Sequence, residues 1–96
     1  MNKESIEETF DLAFQNQQKN NFLVAENLYQ KVLKINSHHI EAQNNLVIVL
    51  RELGEYKRKL GEYQKAIIYF KKALTLNSDS IEAQASISKA YISELD

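Results

Sequence analysis

An all-α chain of about five helices is the fold class that these 96 residues predict, on three observations. Proline is absent and glycine occurs only at Gly54 and Gly61, so little besides these and the polar clusters near Asn36 and Asn77 interrupts a helix. Apolar residues recur at helical spacing in five stripes. A long segment also repeats: Asn36-Ser37-His38-His39-Ile40-Glu41-Ala42-Gln43 returns 41 residues later as Asn77-Ser78-Asp79-Ser80-Ile81-Glu82-Ala83-Gln84.

The first stripe is Ile6, Phe10, Ala13 and Phe14, and Asn20-Asn21 marks the turn after it. The second is Ala25, Leu28, Tyr29, Val32 and Leu33. The same 41-residue offset carries Ala25, Tyr29, Val32, Leu33 and Ile35 onto Ala66, Phe70, Ala73, Leu74 and Leu76. Ile40, Leu46, Val47 and Leu50 form the third stripe, and Ala66, Ile67, Phe70, Ala73 and Leu74 the fourth. Ile81, Ile87, Ala90 and Tyr91 form the fifth. Ser37 and Ser78-Asp79-Ser80 are candidate N-caps, because short hydroxyl or carboxylate side chains satisfy free amide groups at a helix start. The last helix, Ile81 to about Leu95, is polar along one side through Glu82, Ser86, Ser88, Lys89, Ser93 and Glu94, which suits a closing helix that solvates an open end.

These residues resemble a tetratricopeptide repeat, a family of helix pairs with small residues where helices cross and large ones between. Leu12 and Ala13 match the leucine–small pair of a first helix, and Ala25, Tyr29 and Val32 match the second. Leu46, Leu50, Gly61, Tyr63, Ala66, Phe70 and Ala73 fit the same pattern in the next unit, where Gly61-Glu62-Tyr63-Gln64-Lys65-Ala66 is especially characteristic. The resemblance implies a right-handed superhelix of antiparallel helix pairs. It implies one domain over 1–96, with repeat 1 at 6–39, repeat 2 at 40–80 and a capping helix at 81–95. Two family features are missing. Thr9, Gln43 and Gln84 stand where an aromatic opens the first helix, and Ser37 and Ser78 replace the proline that ends a repeat. Looser packing and less rigid turns are expected.

The family period is 34, so seven residues are inserted in the second repeat. They form a duplicated heptad over 53–66: Leu53-Gly54-Glu55-Tyr56-Lys57-Arg58-Lys59, then Leu60-Gly61-Glu62-Tyr63-Gln64-Lys65-Ala66. Seven residues are nearly two turns, about 10 Å of rise, so the inward face is preserved. Leu46, Leu53, Leu60, Ile67 and Leu74 fall seven apart, with Val49, Tyr56, Tyr63 and Phe70 three after the first four, a heptad seam through the expected turn. Two structures fit. Either a turn survives at Gly54 or Gly61 and one helix is longer, or two helices fuse and two chains exchange halves, since duplicated hinges favour swapping. The chain is accordingly a monomer or a domain-swapped homodimer.

Composition excludes several functions. A formal net charge of −1 gives no field toward nucleic acid or an anionic membrane, and no apolar run approaches a membrane span. The Met1-Asn2-Lys3-Glu4-Ser5 start reads as a charged helix and not a signal segment, so a cytoplasmic protein is expected. There is no cysteine and no phosphate loop or hydrolase motif. His38 and His39, the only histidines, read as a solvated turn, so no enzyme, cofactor or metal site is expected. Lys57-Arg58-Lys59 reads as a solvent-exposed helical surface, partly neutralised by Glu55 and Glu62, with Glu55 and Lys59 at favourable i,i+4 spacing.

What the resemblance implies is a scaffold that binds a protein or peptide segment in the concave groove of the first helices of each pair. By repeat position the groove takes Glu7, Phe10, Phe14 and Gln17, then Asn44, Asn45, Ile48, Arg51 and Glu52, then Glu82, Ala85, Ser86, Lys89 and Ile92. Asn45 matches an asparagine that grips peptide backbone in several members. The two phenylalanines serve either as apolar pockets or as core. Adaptors for chaperone tails hold a terminal carboxylate with Lys, Asn, Asn, Lys and Arg. Phe10, Phe14, Asn45, Glu82 and Ser86 stand there, and only Asn45 agrees, which argues against such tails as ligands. A self-association module, with an idle groove, is the alternative.

Overall fold

The computed structural model describes residues 3–95. Five helices follow one another: α1 (Lys3–Gln18), α2 (Phe22–Ile35), α3 (Ile40–Lys59), α4 (Tyr63–Leu76) and α5 (Ile81–Leu95), with no strand among the described residues. This is the all-α repeat architecture of helix pairs that the periodicity predicts.

Two compact units divide within α3, between Val49 and Leu50. In the first, α1 packs on α2, and Ala13, Ala25, Tyr29 and Val32 are buried together with Ala42, Leu46, Val47 and Val49 of α3. In the second, α4 packs on α5. Ala66, Ile67, Phe70 and Ala90 form one buried cluster with Ile87 against it, and Leu50 and Leu53 of α3 are also buried. Each fully buried Phe, Leu or Val contributes about 1.5–3 kcal/mol, far more than the intrinsic preference of so short a helix.

Four residues of the expected stripes lie outside the core. Ile40 and Ile81, at 68% and 77% exposed, are the first residues of their helices and stand ahead of the packed surface; Phe14 and Tyr91 are also exposed. The turns explain where helices stop. After α1, Asn20 adopts φ 63°, the Asn21 amide donates to the Asn16 carbonyl at 2.8 Å, and the Asn20 amide donates to Gln17 at 3.0 Å. After α3, Gly61 adopts φ 79°, with the Glu62 amide on Lys57 and the Gly61 amide on Arg58, both at 2.9 Å. Both are Schellman closures, in which a left-handed residue lets the next amides cap the last carbonyls.

The turns before α3 and α5 also form a matched pair. Asn36 and Asn77 accept, through Oδ1, the amides of His38 and Asp79 at 3.0 and 3.1 Å. Gln43 and Gln84 reach back to donate to the Ser37 and Ser78 carbonyls at 2.5 and 3.1 Å. Residues that count as departures from the family pattern thus fasten the turns that lack proline. Ser80 caps α5, its Oγ accepting from the Ala83 amide at 3.2 Å. Ser37 does not cap α3. His39 does, its Nδ1 accepting from Ala42 at 3.1 Å, because it stands three residues before that amide.

Of the two readings of the duplicated heptad, the structure has the surviving turn, at Gly61, and α3 is the longer helix, 20 residues against 14 for α4. The heptad seam is interrupted there: Leu46, Leu53 and Ile67 are buried, whereas Tyr56 and Leu60 are 58% and 55% exposed. Gly54 lies inside α3, where a Cβ would stand 2.3 Å from Cε1 of the buried Phe70. Its role is close approach, not chain reversal. The basic run is only half solvated. Glu55 pairs with Arg58 at 2.9 Å rather than with Lys59, and Lys57 Nζ lies 3.1 Å from Glu62 Oε2, holding the Glu62 carboxyl below its ordinary range.

Gly54→Ala gains helix propensity of about 1 kcal/mol but forces a methyl into Phe70, so a net loss of about 1–2 kcal/mol is expected in urea unfolding. Gly61→Ala, placed at positive φ in open space, is expected to lose about 1 kcal/mol. Adding Phe70→Leu to Gly54→Ala should recover part of the loss; an unperturbed or raised midpoint for Gly54→Ala alone would contradict the packing argument.

Candidate functional site

The candidate residues fall into two groups, one in each unit. In the first unit Phe10, Phe14 and Gln17 recur at helical spacing along α1. Phe10 is half-buried. Its ring meets Tyr29 edge-on at 5.7 Å and stacks on His39 at 5.1 Å with 28° between planes. Phe14 is 41% exposed. On α3, Asn44 is exposed and Asn45 half-buried, and Ile48 is 43% exposed between the buried Val47 and Val49. His38 is exposed, but His39 is more than a solvated turn residue: it caps α3 and backs Phe10.

Tyr29 organises this group from below. Its hydroxyl donates to Gln17 Oε1 at 2.5 Å and accepts from the Asn45 side chain. Burial pushes the phenol up from its ordinary range, and the Asn45 bond opposes that shift. An amide side chain has two N–H groups and a carbonyl, so the bond to Tyr29 leaves Asn45 an acceptor and one donor to offer elsewhere.

In the second unit Arg51, Ser86 and Lys89 line an open depression of about 340 Å3 together with Glu55, Glu82 and Ala85. Arg51 is half-buried. Its Nε is shielded from solvent and has no hydrogen-bond acceptor among the described residues. Glu55 is engaged by Arg58, whose Nε and Nη2 both reach Oε2, at 3.2 and 2.9 Å. Glu55 is the one lining residue that the sequence reading missed. The signal was present: the 41-residue offset carries Phe10 and Phe14 onto Arg51 and Glu55, two turns beyond Asn44 and Ile48 on the same helical stripe. Among the described residues there is no cluster of three or more His, Cys, Asp or Glu side chains placed to hold a metal, and no helix long and apolar enough to cross a membrane.

A family model described as tetratricopeptide repeat matches residues 5–79, most of the chain. Comparison with curated proteins gave no match.

The buried, doubly bonded Tyr29 carries its own test. Of the five tyrosines, one is expected to ionise later than the rest in a spectrophotometric alkaline titration of the folded chain, and Tyr29→Phe should remove that late step. Five tyrosines titrating together below the unfolding pH would show that the phenol is not held as described.

Proposed function

We infer that this chain, which belongs to the tetratricopeptide repeat family, is a scaffold that binds a protein or peptide segment through the groove of the first helix of each pair. Members of the family generally mediate protein–protein interaction and are typically not enzymes. The proposed organisation is two repeats, 6–39 and 40–80, closed by the helix 81–95, acting in the cytoplasm without cofactor or catalysis.

The observation that carries the reading is Ile48. A large apolar side chain open to solvent between two buried valines, with Asn44 one turn before it and Arg51 one turn after, gives α3 an apolar contact flanked by polar groups. That mixture suits capture of a peptide: burial of the apolar group supplies affinity, and amide and guanidinium groups set orientation. Phe14 extends the apolar component onto α1. A free C-terminal carboxylate held as in chaperone tails is a poor ligand, because of the five positions of that clamp only Asn45 agrees and none of its three cations is present.

A second reading, a structural self-association module built by exchange of α4 and α5 between two chains, is favoured by the exposure of Tyr56 and Leu60. These heptad residues would be covered if α3 and α4 ran on as one rod against a second copy.

Ile48→Asp is expected to weaken capture of cellular partners by about tenfold or more, roughly 1.4 kcal/mol, with helix content and mass unchanged. Retention of the same partners by this variant would remove the groove reading. Sedimentation at high protein concentration addresses the second: a dimer that is abolished by deleting residues 54–60 is its expected signature, and a strict monomer ends it.

A further inference from the structure

We propose that the depression lined by Arg51, Ser86 and Lys89 is a subsite for the carboxylate side chain of an acidic residue within a bound peptide. This deepens the groove reading above and rests on it.

The argument is one of unspent charge. Six residues line the depression, and four are ionisable: Arg51, Glu55, Glu82 and Lys89. Glu55 is already occupied, since Arg58 gives it two hydrogen bonds from the side. Neither Arg51 nor Lys89 takes part in an ion pair among the described residues; the pairs present join Lys57, Arg58 and Lys65 to Glu55 and Glu62. The depression therefore holds two uncommitted cations against the single uncommitted carboxylate of Glu82, and its balance favours an anion.

Arg51 sharpens the case. Its Nε has lost contact with water without gaining an acceptor, which leaves the guanidinium partly desolvated and uncompensated. A carboxylate arriving on the remaining N–H groups compensates the charge of the partly desolvated guanidinium, and charge-assisted bonds of this kind are about twice as strong as neutral ones. Ser86 supplies a hydroxyl donor beside it. The small side chain of Ala85 leaves the floor open. Glu82, on the same helix as Lys89 and two turns before it, sets a limit on the ligand: a second acidic residue reaching Glu82 is repelled, so one carboxylate and not an acidic run is what fits.

The test is amide chemical-shift mapping on the full chain with pools of capped heptapeptides. The flanks are randomised, and the central residue is Glu, Gln or phosphoserine. The Glu pool is expected to move the amides of Arg51, Ser86 and Lys89, with about tenfold weaker apparent affinity for the Gln pool. Arg51→Gln should abolish that difference between pools, and Glu82→Gln should tighten the Glu pool about two- to threefold. Equal shifts with Glu and Gln overturn the proposal, as does binding by the phosphoserine pool alone. Shifts near Phe14 and Ile48 without any at Ser86 and Lys89 overturn the subsite and leave the groove standing. Silence along α1, α3 and α5 overturns both.

Discussion

The seating of Phe70 against Gly54 is the contact on which the second unit depends. A buried aromatic ring on α4 occupies the space where any side chain at position 54 would begin, so α4 can approach α3 only at this height. The first unit has the same arrangement in residue type: Tyr29 and Ala13, both fully buried, stand 41 residues before Phe70 and Gly54. Large on the second helix and small on the first is the family's packing rule. It decides which turn of α3 belongs to which unit. The first ten residues of α3 bury Ala42, Leu46, Val47 and Val49 in one unit, and the next ten bury Leu50 and Leu53 in the other. The seven additional residues therefore lengthen a rod that serves both cores.

The candidate site inherits its geometry from these cores. Tyr29 is core at its ring and site at its hydroxyl, and through that hydroxyl it orients Gln17 and Asn45. Phe10 is held between Tyr29 and the His39 ring that also caps α3. The candidate residues that the packing does not consume are Phe14, Asn44, Ile48, Ser86, Lys89, the outer edge of Arg51 and the remaining acceptor and donor of Asn45. Specificity in such a scaffold comes from which side chains remain uncommitted, so bonding partners matter as much as exposure.

The helices and their pairing were legible because burial imposes a periodicity that a linear sequence displays directly. Ala25, Ala66, Tyr29 and Phe70 could be placed without coordinates for that reason. End effects were less legible. Ile40 and Ile81 share the hydrophobic character of core residues, but a helix's first residue precedes the surface its helix packs, and only backbone position shows that. Capping by His39 instead of Ser37, and the reach of Gln43 and Gln84 to the preceding turn, depend on loop geometry that residue type does not specify. In the site, Glu55 was missed because the duplication permits two registers seven residues apart. Both lie on one helical face, so periodicity cannot separate them.

That ambiguity has its physical resolution in the two glycines. Leu53-Gly54-Glu55-Tyr56 and Leu60-Gly61-Glu62-Tyr63 are the same four residues in the same order, yet the first is helix and the second is a chain reversal. Local preference cannot choose between them, since each glycine weakens a helix by about 1 kcal/mol and each can adopt positive φ. The long-range term can. Reversal at Gly54 would remove the seat for Phe70 and end α3 where Leu53 has just entered the core. Reversal at Gly61 keeps both and exposes Leu60 instead. The glycine penalty is the same in either case, so burial of one large apolar side chain, about 1.5–3 kcal/mol, decides: the chain runs helical through Gly54 and turns at the next copy. A duplicated segment thus took two structures because only one of its copies faces an aromatic ring.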